Sequence, residues 1–133
     1  EDRTTAAQDM VDFVLEIANY ARVTKGISGF GVFPQNGEAL GDFPIYVSTV
    51  TGIGREDTWY NDNQQQPKDE TDYVLQYLDI FKNAGKLILV TDYVTLPPLI
   101  DDFYSKAQNK SYVPYATVRD LDQLTINPGH EPD

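Results

Sequence analysis

The sequence predicts an α/β fold with a largely parallel sheet, and three observations lead to this class. Helical and strand-like patterns alternate along the chain in the order helix, strand, strand, helix, strand, helix, strand. Three short apolar runs each end abruptly in polar residues, as strands do where parallel sheets bind ligands. The chain has 133 residues. A closed eight-unit barrel needs roughly 250, so any barrel here is partial or paired.

A strongly acidic composition limits the classes of partner. Ten Lys and Arg against 21 Asp and Glu give a net charge of -11. This charge argues against nucleic acid or a membrane surface as partner and allows a cationic one, although solubility alone also explains it. The chain has no cysteine and a single histidine, His130. Disulfides and thiolate chemistry are thereby excluded, Ser-His-Asp catalysis and histidine-rich metal sites are disfavoured, and no cofactor is implied.

Apolar periodicity places the first helix and the first strand. Helical spacing of apolar residues predicts a helix over residues 5–22, and an apolar run predicts a buried strand over residues 30–33. Asn36-Gly37 marks a turn directly after this strand. The apolar face of the helix is expected to contain Met10, Val11, Val14, Ile17, Ala18 and Ala21.

The middle of the chain is less clearly patterned. Pro44 breaks a helix, so residues 41–50 are compatible with either a short helical turn or the entry to a strand. Residues 49–53 are interpreted as a strand, and the run of Asn, Asp and Gln at 61–66 is interpreted as a polar loop.

The second half gives stronger signals. A helix begins at Pro67 and ends at the stop signal of residues 83–85. An apolar strand follows at 86–91, then a helix at 99–109 and a short strand at 112–116.

We expect residues 1–133 to form a single domain. One helical turn is predicted at 120–124, and residues 127–133 are expected to form a frayed tail. The chain opens with Glu1-Asp2-Arg3, without methionine or an apolar leader, which suggests a processed protein, a fragment or a trimmed chain.

Polar side chains follow three of the predicted strands. Because the carboxyl ends of parallel strands meet at one edge of a sheet, these side chains are expected to share one mouth. The candidates are Asn36, Glu38, Arg55, Glu56, Asp57, Trp59, Tyr60, Asp92 and Tyr93. The pair Gly52 and Gly54 is not a phosphate loop, because the third glycine and the Lys-Ser/Thr of such loops are missing.

Four stretches resemble the C-terminal half of glycoside hydrolase family 114-like barrels, the group that includes endo-α-1,4-polygalactosaminidases. These stretches are Asp-Met-Val-Asp-Phe-Val at 9–14, Phe-Pro-Gln-Asn-Gly-Glu at 33–38, Gly-Ile-Gly-Arg-Glu-Asp at 52–57 with Tyr60, and Ile-Leu-Val-Thr-Asp-Tyr at 88–93. The resemblance covers nearly the whole chain. It implies a partial, half (β/α)8 TIM-like barrel of about four parallel strands, which would correspond to the fifth to eighth strands of the family.

The resemblance also implies a role for Glu56, at the family's general acid/base position. Such a role needs a raised pKa from partial burial near Trp59 and Tyr60; a salt bridge with Arg55 or simple exposure is the alternative. The family's partner carboxylate lies at the end of the fourth strand, which should precede Thr4 and is absent from this chain. Glycoside hydrolysis normally uses two carboxyl groups.

The other candidates each have a functional and a structural interpretation. Glu38 or Asp92 could replace the missing carboxylate, although Asp92 could equally cap a helix or accept internal hydrogen bonds. Asn36 and Glu38 could bind sugar hydroxyls or an ammonium, or simply form a turn around Gly37. Asp57 would orient its loop. The rings of Trp59, Tyr60 and Tyr93 could stack on sugars or pack in the core.

The resemblance therefore implies an extracellular glycoside hydrolase-like domain related to enzymes that cleave galactosamine-containing α-glycans. It would be incomplete or inactive as a lone chain, and its partner would be an amine-bearing glycan. The alternative is a half-barrel that forms a homodimer and serves as a carbohydrate-binding or structural module, because exposed parallel strand edges tend to pair. A third possibility is a fragment of a longer enzyme whose N-terminal half-barrel is missing.

Overall fold

A computed structural model describes residues 3–131 and contains a mixed arrangement of helices and strands. The α-helices are α1 (Ala6–Asn19), α2 (Pro44–Thr49), α3 (Lys68–Asn83) and α4 (Pro97–Asn109). The strands are β1 (Gly52–Glu56), β2 (Tyr60–Asn61), β3 (Gln64–Gln65), β4 (Leu87–Asp92) and β5 (Val113–Ala116). Residues 1–2 and the last two residues of the predicted tail lie outside the described range.

The central sheet is parallel, as the sequence predicts, with the strand order β1-β4-β5. The segment 32–36 extends it by running beside β1. The carbonyl of Val32 accepts from the Thr51 amide at 2.8 Å, and that of Pro34 accepts from the Gly54 amide at 2.9 Å. The strand expected at 30–33 is therefore displaced, because residues 28–29 form a turn and extended pairing begins only afterwards.

The undecided stretch before β1 is helical. A 3-10 helix, Glu38–Asp42, leads into α2, which has Pro44 in its first turn, where a missing N–H costs nothing. The hydroxyls of Ser48 and Thr49 both donate to the Ile45 carbonyl, at 2.9 and 2.8 Å. This helix ends at Thr49, the first residue of the strand expected at 49–53, and β1 begins three positions later, at Gly52.

Helix α1 buries four of the six residues of its expected apolar face and leaves the other two exposed. It continues as a π-helical turn, Tyr20–Thr24. The buried side chains are Val11, Val14, Ala18 and Ala21. An outer row, consisting of Met10, Phe13, Ile17 and Tyr20, is 40% to 57% exposed. Two members of the expected face, Met10 and Ile17, therefore lie outside the core, and the outer row is an apolar surface without cover in the described residues.

Two short features differ from the sequence interpretation. The loop at 61–66 contains a small hairpin of β2 and β3, whose turn residues Asp62 and Asn63 have φ angles of 49° and 63°. Positive φ at both central positions is the geometry of a tight hairpin turn. No helical turn forms at 120–124, because Leu121 adopts a left-handed backbone with φ 51°.

The remaining elements match the sequence prediction to within two residues, and they bury one face of the sheet. Ile53, Ile88 and Val90 belong to the core that the helices cover. On the opposite face, Leu87 of β4 is 47% exposed and Val113 of β5 is 48% exposed. The sheet is thus covered on one side and largely open on the other.

A buried carboxylate fixes the chain where it leaves β1. Asp92, the last residue of β4, is fully buried. Its Oδ1 accepts from the Thr58 amide at 2.7 Å, and its Oδ2 accepts from the amides of Trp59 and Tyr60, both at 2.8 Å. Burial raises the pKa of Asp92 to about 6, while these three N–H donors favour its ionised form. Through these three hydrogen bonds, which we call the clasp, the Asp92 carboxylate attaches the loop after β1 to the end of β4.

We predict that Asp92→Asn destabilises the chain by about 2 kcal/mol, because the amide NH2 of Asn would face N–H groups that need an acceptor. The loss should be larger at about pH 5 than at about pH 7.5. The reason is that the folded pKa of Asp92, about 6, lies above its ordinary 3.8. Its stabilising contribution is therefore fully present at low pH and falls as the pH rises through the folded pKa. Urea unfolding at both pH values measures the difference.

Asp122→Asn is the matched control, since Asp122 is exposed. Equal effects of the two substitutions, or a loss for Asp92→Asn that does not depend on pH, would contradict the clasp.

Candidate functional site

Glu56 lies at the carboxyl end of β1, where two side chains from other segments hold its carboxylate. The hydroxyl of Tyr93, which follows β4, donates to Glu56 Oε1. The Nδ2 of Asn36 lies 3.4 Å from Glu56 Oε2, at the long end of a hydrogen bond. Tyr93 is only 4% exposed, so its hydroxyl is held in place by the packing of its ring. Both carboxylate oxygens therefore have a donor from the protein.

Asn36 owes its position to the turn predicted at Asn36-Gly37. Asn36 and Gly37 have φ angles of 59° and 73°, so the chain reverses there and enters the 3-10 helix. The Oδ1 of Asn36 accepts from the Glu56 amide and from Arg55 Nη1, each at 3.1 Å. Asn36 therefore forms the predicted turn and also contacts the Glu56 carboxylate.

The two glycines of β1 leave room for neighbouring side chains. A Cβ at Gly54 would lie 2.1 Å from Gln35 Oε1, and a Cβ at Gly52 would lie 2.5 Å from the Phe33 ring. The pKa of the Glu56 carboxyl is lowered chiefly by the Tyr93 hydroxyl, with a smaller contribution from the side chain of Gln35. The glycines therefore allow the segment 32–36 to fold its side chains over β1, a role unrelated to nucleotide binding.

Glu38 and Arg55 form a partly buried pair beside Asn36. Glu38 is 7% exposed, and its Oε1 lies 3.6 Å from Arg55 Nε. That separation exceeds a direct hydrogen bond, and Arg55 Nε has no hydrogen-bond partner among the described residues. Arg55 therefore pairs with Glu38 and Asn36, which leaves the Glu56 carboxylate free of the neighbouring arginine.

An arginine that the sequence interpretation missed completes the cluster. Arg119, in the segment after β5, places its guanidinium 4.1 Å from the centre of the Tyr93 ring. Its Nη2 donates to Asp57 Oδ1 at 2.9 Å. Arg119 follows β5 by only three residues, so the rule that polar residues after parallel strands share one edge could have identified it.

The electrostatics of Glu56 differ from those expected of a general acid. The hydrogen bond from Tyr93 is the main cause that lowers the pKa of Glu56, and it outweighs the opposing effect of burial. In turn, burial and the bond to Glu56 raise the pKa of Tyr93 to about 12. The expected raised pKa of Glu56 is therefore not found, because its hydrogen-bond donors stabilise the charged form.

Three candidates lie in the interior instead of the mouth. Trp59 is 6% exposed and packs against the Phe103 ring at a centroid distance of 5.9 Å. Tyr60 is 4% exposed and donates its hydroxyl to Asp102 Oδ2 at 2.5 Å. Their rings are covered, which leaves no face for a sugar. Asp92 accepts hydrogen bonds from the amides of residues 58–60, which agrees with the interpretation that it accepts internal hydrogen bonds.

The structure thus brings together six of the candidates: Asn36, Glu38, Arg55, Glu56, Asp57 and Tyr93. Chemically, the cluster offers one ionised, pinned carboxylate that could act as a base or nucleophile. Within residues 3–131, no three His, Cys, Asp or Glu side chains are arranged to hold a metal ion. In the same range, no helix has the length and apolarity needed to cross a bilayer.

The fold is similar to that of solved glycoside hydrolase structures. The glycoside hydrolase domain of PelA from Pseudomonas aeruginosa aligns with a TM-score of 0.64 and 17% identity, covering 91% of this chain and 48% of that domain. Its E218A variant aligns with a TM-score of 0.63 and 18% identity over the same shares. At such identity the likeness establishes a glycoside hydrolase-like fold and no specificity.

Sequence relatives are longer proteins of unknown activity. An uncharacterized protein of Methanocaldococcus jannaschii is 36% identical over 92% of this chain and 39% of its own length. Another, from Thermotoga maritima, is 35% identical over 98% of this chain and 43% of its own length. A third, from Deinococcus radiodurans, is 29% identical over 96% of this chain and 41% of its own length. No family model matches the chain. The chain therefore spans about two fifths of the curated relatives it matches and about half of the similar solved domain.

Proposed function

We propose that this chain is part of an extracellular glycoside hydrolase-like protein that acts on galactosamine-containing α-glycans, with Glu56 as its reacting carboxylate. The observation that carries the proposal is the position of Glu56 at the carboxyl end of a parallel strand. There, donors from Tyr93 and Asn36 hold both of its oxygens. Active sites of barrel enzymes lie at this edge of the sheet.

Among the carboxylates that the described residues bring to the candidate site, Glu56 alone is neither paired with an arginine nor buried against backbone amides. Asp57, the next residue, accepts from Arg119 Nη2 at 2.9 Å. Asp92 is fully buried and bonded to backbone amides, and Glu38 is buried beside Arg55. Hydrolysis of a glycoside needs a second carboxyl group within roughly 5 to 9.5 Å of the first. In the proposal, a complementary half of the barrel provides this group.

The second carboxylate would also change the protonation of Glu56. In the chain as described, the Tyr93 hydrogen bond lowers the pKa of Glu56, so Glu56 is ionised at neutral pH and cannot serve as an acid. A second negative charge nearby raises the pKa of a carboxyl group. The complementary half would thus turn Glu56 from a fixed base into the general acid/base of the family.

An amine-bearing substrate fits the charges around Glu56. Asp57 follows Glu56 directly, Asp57 and Asp62 together outnumber the single charge of their shared partner Arg119, and the whole chain carries a net charge of -11. An acidic protein attracts cationic polymers and repels anionic ones. Protonated galactosamine residues would therefore be favoured over their neutral N-acetylated counterparts.

We predict that the lone chain binds a short α-1,4-linked galactosamine oligosaccharide and that Glu56→Gln weakens this binding about tenfold. The expected loss of about 1.4 kcal/mol corresponds to one charge-assisted contact. Titration calorimetry measures the affinity, and the fully N-acetylated oligosaccharide of equal length should bind more weakly and respond little to the substitution.

Glu70→Gln is the matched variant, since Glu70 is exposed at the start of α3. If Glu70→Gln weakens binding as much as Glu56→Gln does, attraction is general and the proposed site is rejected. Absence of any binding by the wild-type chain also rejects it.

A second candidate function, a self-associating carbohydrate-binding or structural module, is favoured by the uncovered apolar surfaces. The outer row of α1 borders a groove of about 660 Å³ that Phe30 and Ile27 also line. One face of the sheet is open as well, with Leu87 and Val113 about half exposed. Apolar surfaces of this kind commonly mark interfaces, and a second copy could cover both edges of the sheet around one two-fold axis.

This alternative predicts a particle of twice the 15.0 kDa chain mass. Light scattering on a size-exclusion column should then show a dimer, and Phe13→Glu should return it to a single chain, because Phe13 is 57% exposed within the outer row. Gln76→Glu adds the same charge on an exposed position of α3 and should leave the mass unchanged. A wild-type chain that stays monomeric at high concentration rejects self-association.

A further inference from the structure

Arg119 is 43% exposed and contacts four side chains around the candidate site, those of Asp57, Asn61, Asp62 and Tyr93. Its Nε lies 3.0 and 3.1 Å from the two carboxylate oxygens of Asp62. Its Nη2 donates to Asp57 Oδ1 at 2.9 Å and to Asn61 Oδ1 at 2.7 Å. Its guanidinium also stacks over the Tyr93 ring. One side chain from the segment after β5 therefore reaches the loop after β1 and the residue after β4.

Two of the three residues that accept hydrogen bonds from Arg119 have a left-handed backbone. Asp57 has a φ angle of 52° and Asp62 has one of 49°. Residues other than glycine adopt this left-handed region at a cost, and it persists only where surrounding contacts hold it. Asp57 is also the residue directly after Glu56. A contact that holds Asp57 therefore restrains the end of β1, where the Glu56 carboxylate emerges.

The stacking contact restrains the other partner of Glu56. A guanidinium over a tyrosine face is attracted by the ring quadrupole and limits rotation of the ring. The same ring carries the hydroxyl that donates to Glu56 Oε1. Arg119 makes no hydrogen bond to Glu56 among the described residues. Its charge lowers the pKa of Glu56 directly, but this is a smaller effect than the Tyr93 hydrogen bond. The larger influence of Arg119 would therefore pass through the Tyr93 ring that it covers.

We propose that Arg119 is a positioning residue of the candidate site, which holds the Tyr93 ring and the Asp57 loop so that the Tyr93 hydroxyl remains on Glu56. The role rests on the proposed function, because it matters for chemistry only if Glu56 is the reacting carboxylate. A lysine at this position would keep a positive charge but would lose the planar stack and the fork that reaches two carboxylates at once.

A double-mutant cycle on the pKa of Glu56 tests this proposal without any turnover. The pKa is measured by following the side-chain carboxyl carbon of Glu56 by NMR across a pH titration. Arg119→Gln should raise the pKa, because the Tyr93 hydrogen bond that lowers it is loosened. Tyr93→Phe should raise it as well. In the Tyr93→Phe background, most of the rise caused by Arg119→Gln should disappear, since the two residues act through one contact.

Two further variants separate positioning from charge. Arg119→Lys should leave the pKa of Glu56 raised, whereas full recovery of the wild-type value would overturn the proposal, because charge alone would then suffice. Arg3→Gln removes the same charge from the exposed pair with Asp9 and should not change the pKa. Equal shifts for Arg3→Gln and Arg119→Gln, or additive shifts in the cycle, would also overturn it.

The outcome is independent of the proposed function. Coupling between Arg119 and Tyr93 can be present in a chain that binds no glycan, and it can be absent in one that does. If Arg119→Gln does not fold, as judged by its near-ultraviolet circular dichroism, the comparison of Arg119→Lys with the wild-type chain decides.

Discussion

The three hydrogen bonds that Asp92 accepts from residues 58–60 are the constraint on which the rest of the site depends. They join the end of β4 to the loop that leaves β1, so they fix two strand ends with one buried carboxylate. Tyr93 is the next residue after Asp92, and Glu56 lies just before the clasped loop. The distance between the phenol and the carboxylate is therefore set by a contact that is itself fully buried.

In the proposed function, Glu56 is the reacting carboxylate, and the described residues bring no second available carboxyl group beside it. Tyr93 and Asn36 donate to Glu56, and these contacts lower its pKa together with a smaller contribution from Gln35. A glycosidase needs such a group to accept and release a proton, which a second charge nearby would permit. The open face of the sheet and the outer row of α1 are exposed apolar surfaces, and the proposed complementary half of a barrel would cover them. In the proposal, the same complementary half would supply the second carboxyl group and cover the exposed apolar surfaces.

The sequence predicted the fold class and the parallel sheet, because buried strands and amphipathic helices leave strong periodic patterns. It also grouped Asn36, Glu38, Glu56 and Tyr93 at one edge. It misplaced Trp59 and Tyr60, because burial by α4 depends on packing between distant segments, which periodicity does not report. The lowered pKa of Glu56 could not be predicted from the sequence, because it depends on which side-chain donors contact the carboxylate oxygens in the folded chain. Arg119 was missed because a lone arginine in an irregular segment carries no local pattern.

The most direct test of this account is the release of reducing ends from partially deacetylated galactosaminogalactan by the purified lone chain. Two carboxyl groups are needed, and residues 3–131 bring only Glu56 to the site in an available form, so we expect the chain to bind the polymer and to release little or no product. Hydrolysis at an enzyme-like rate that is abolished by Glu56→Gln would contradict it. That result would mean that the second carboxyl group is already present among these 133 residues.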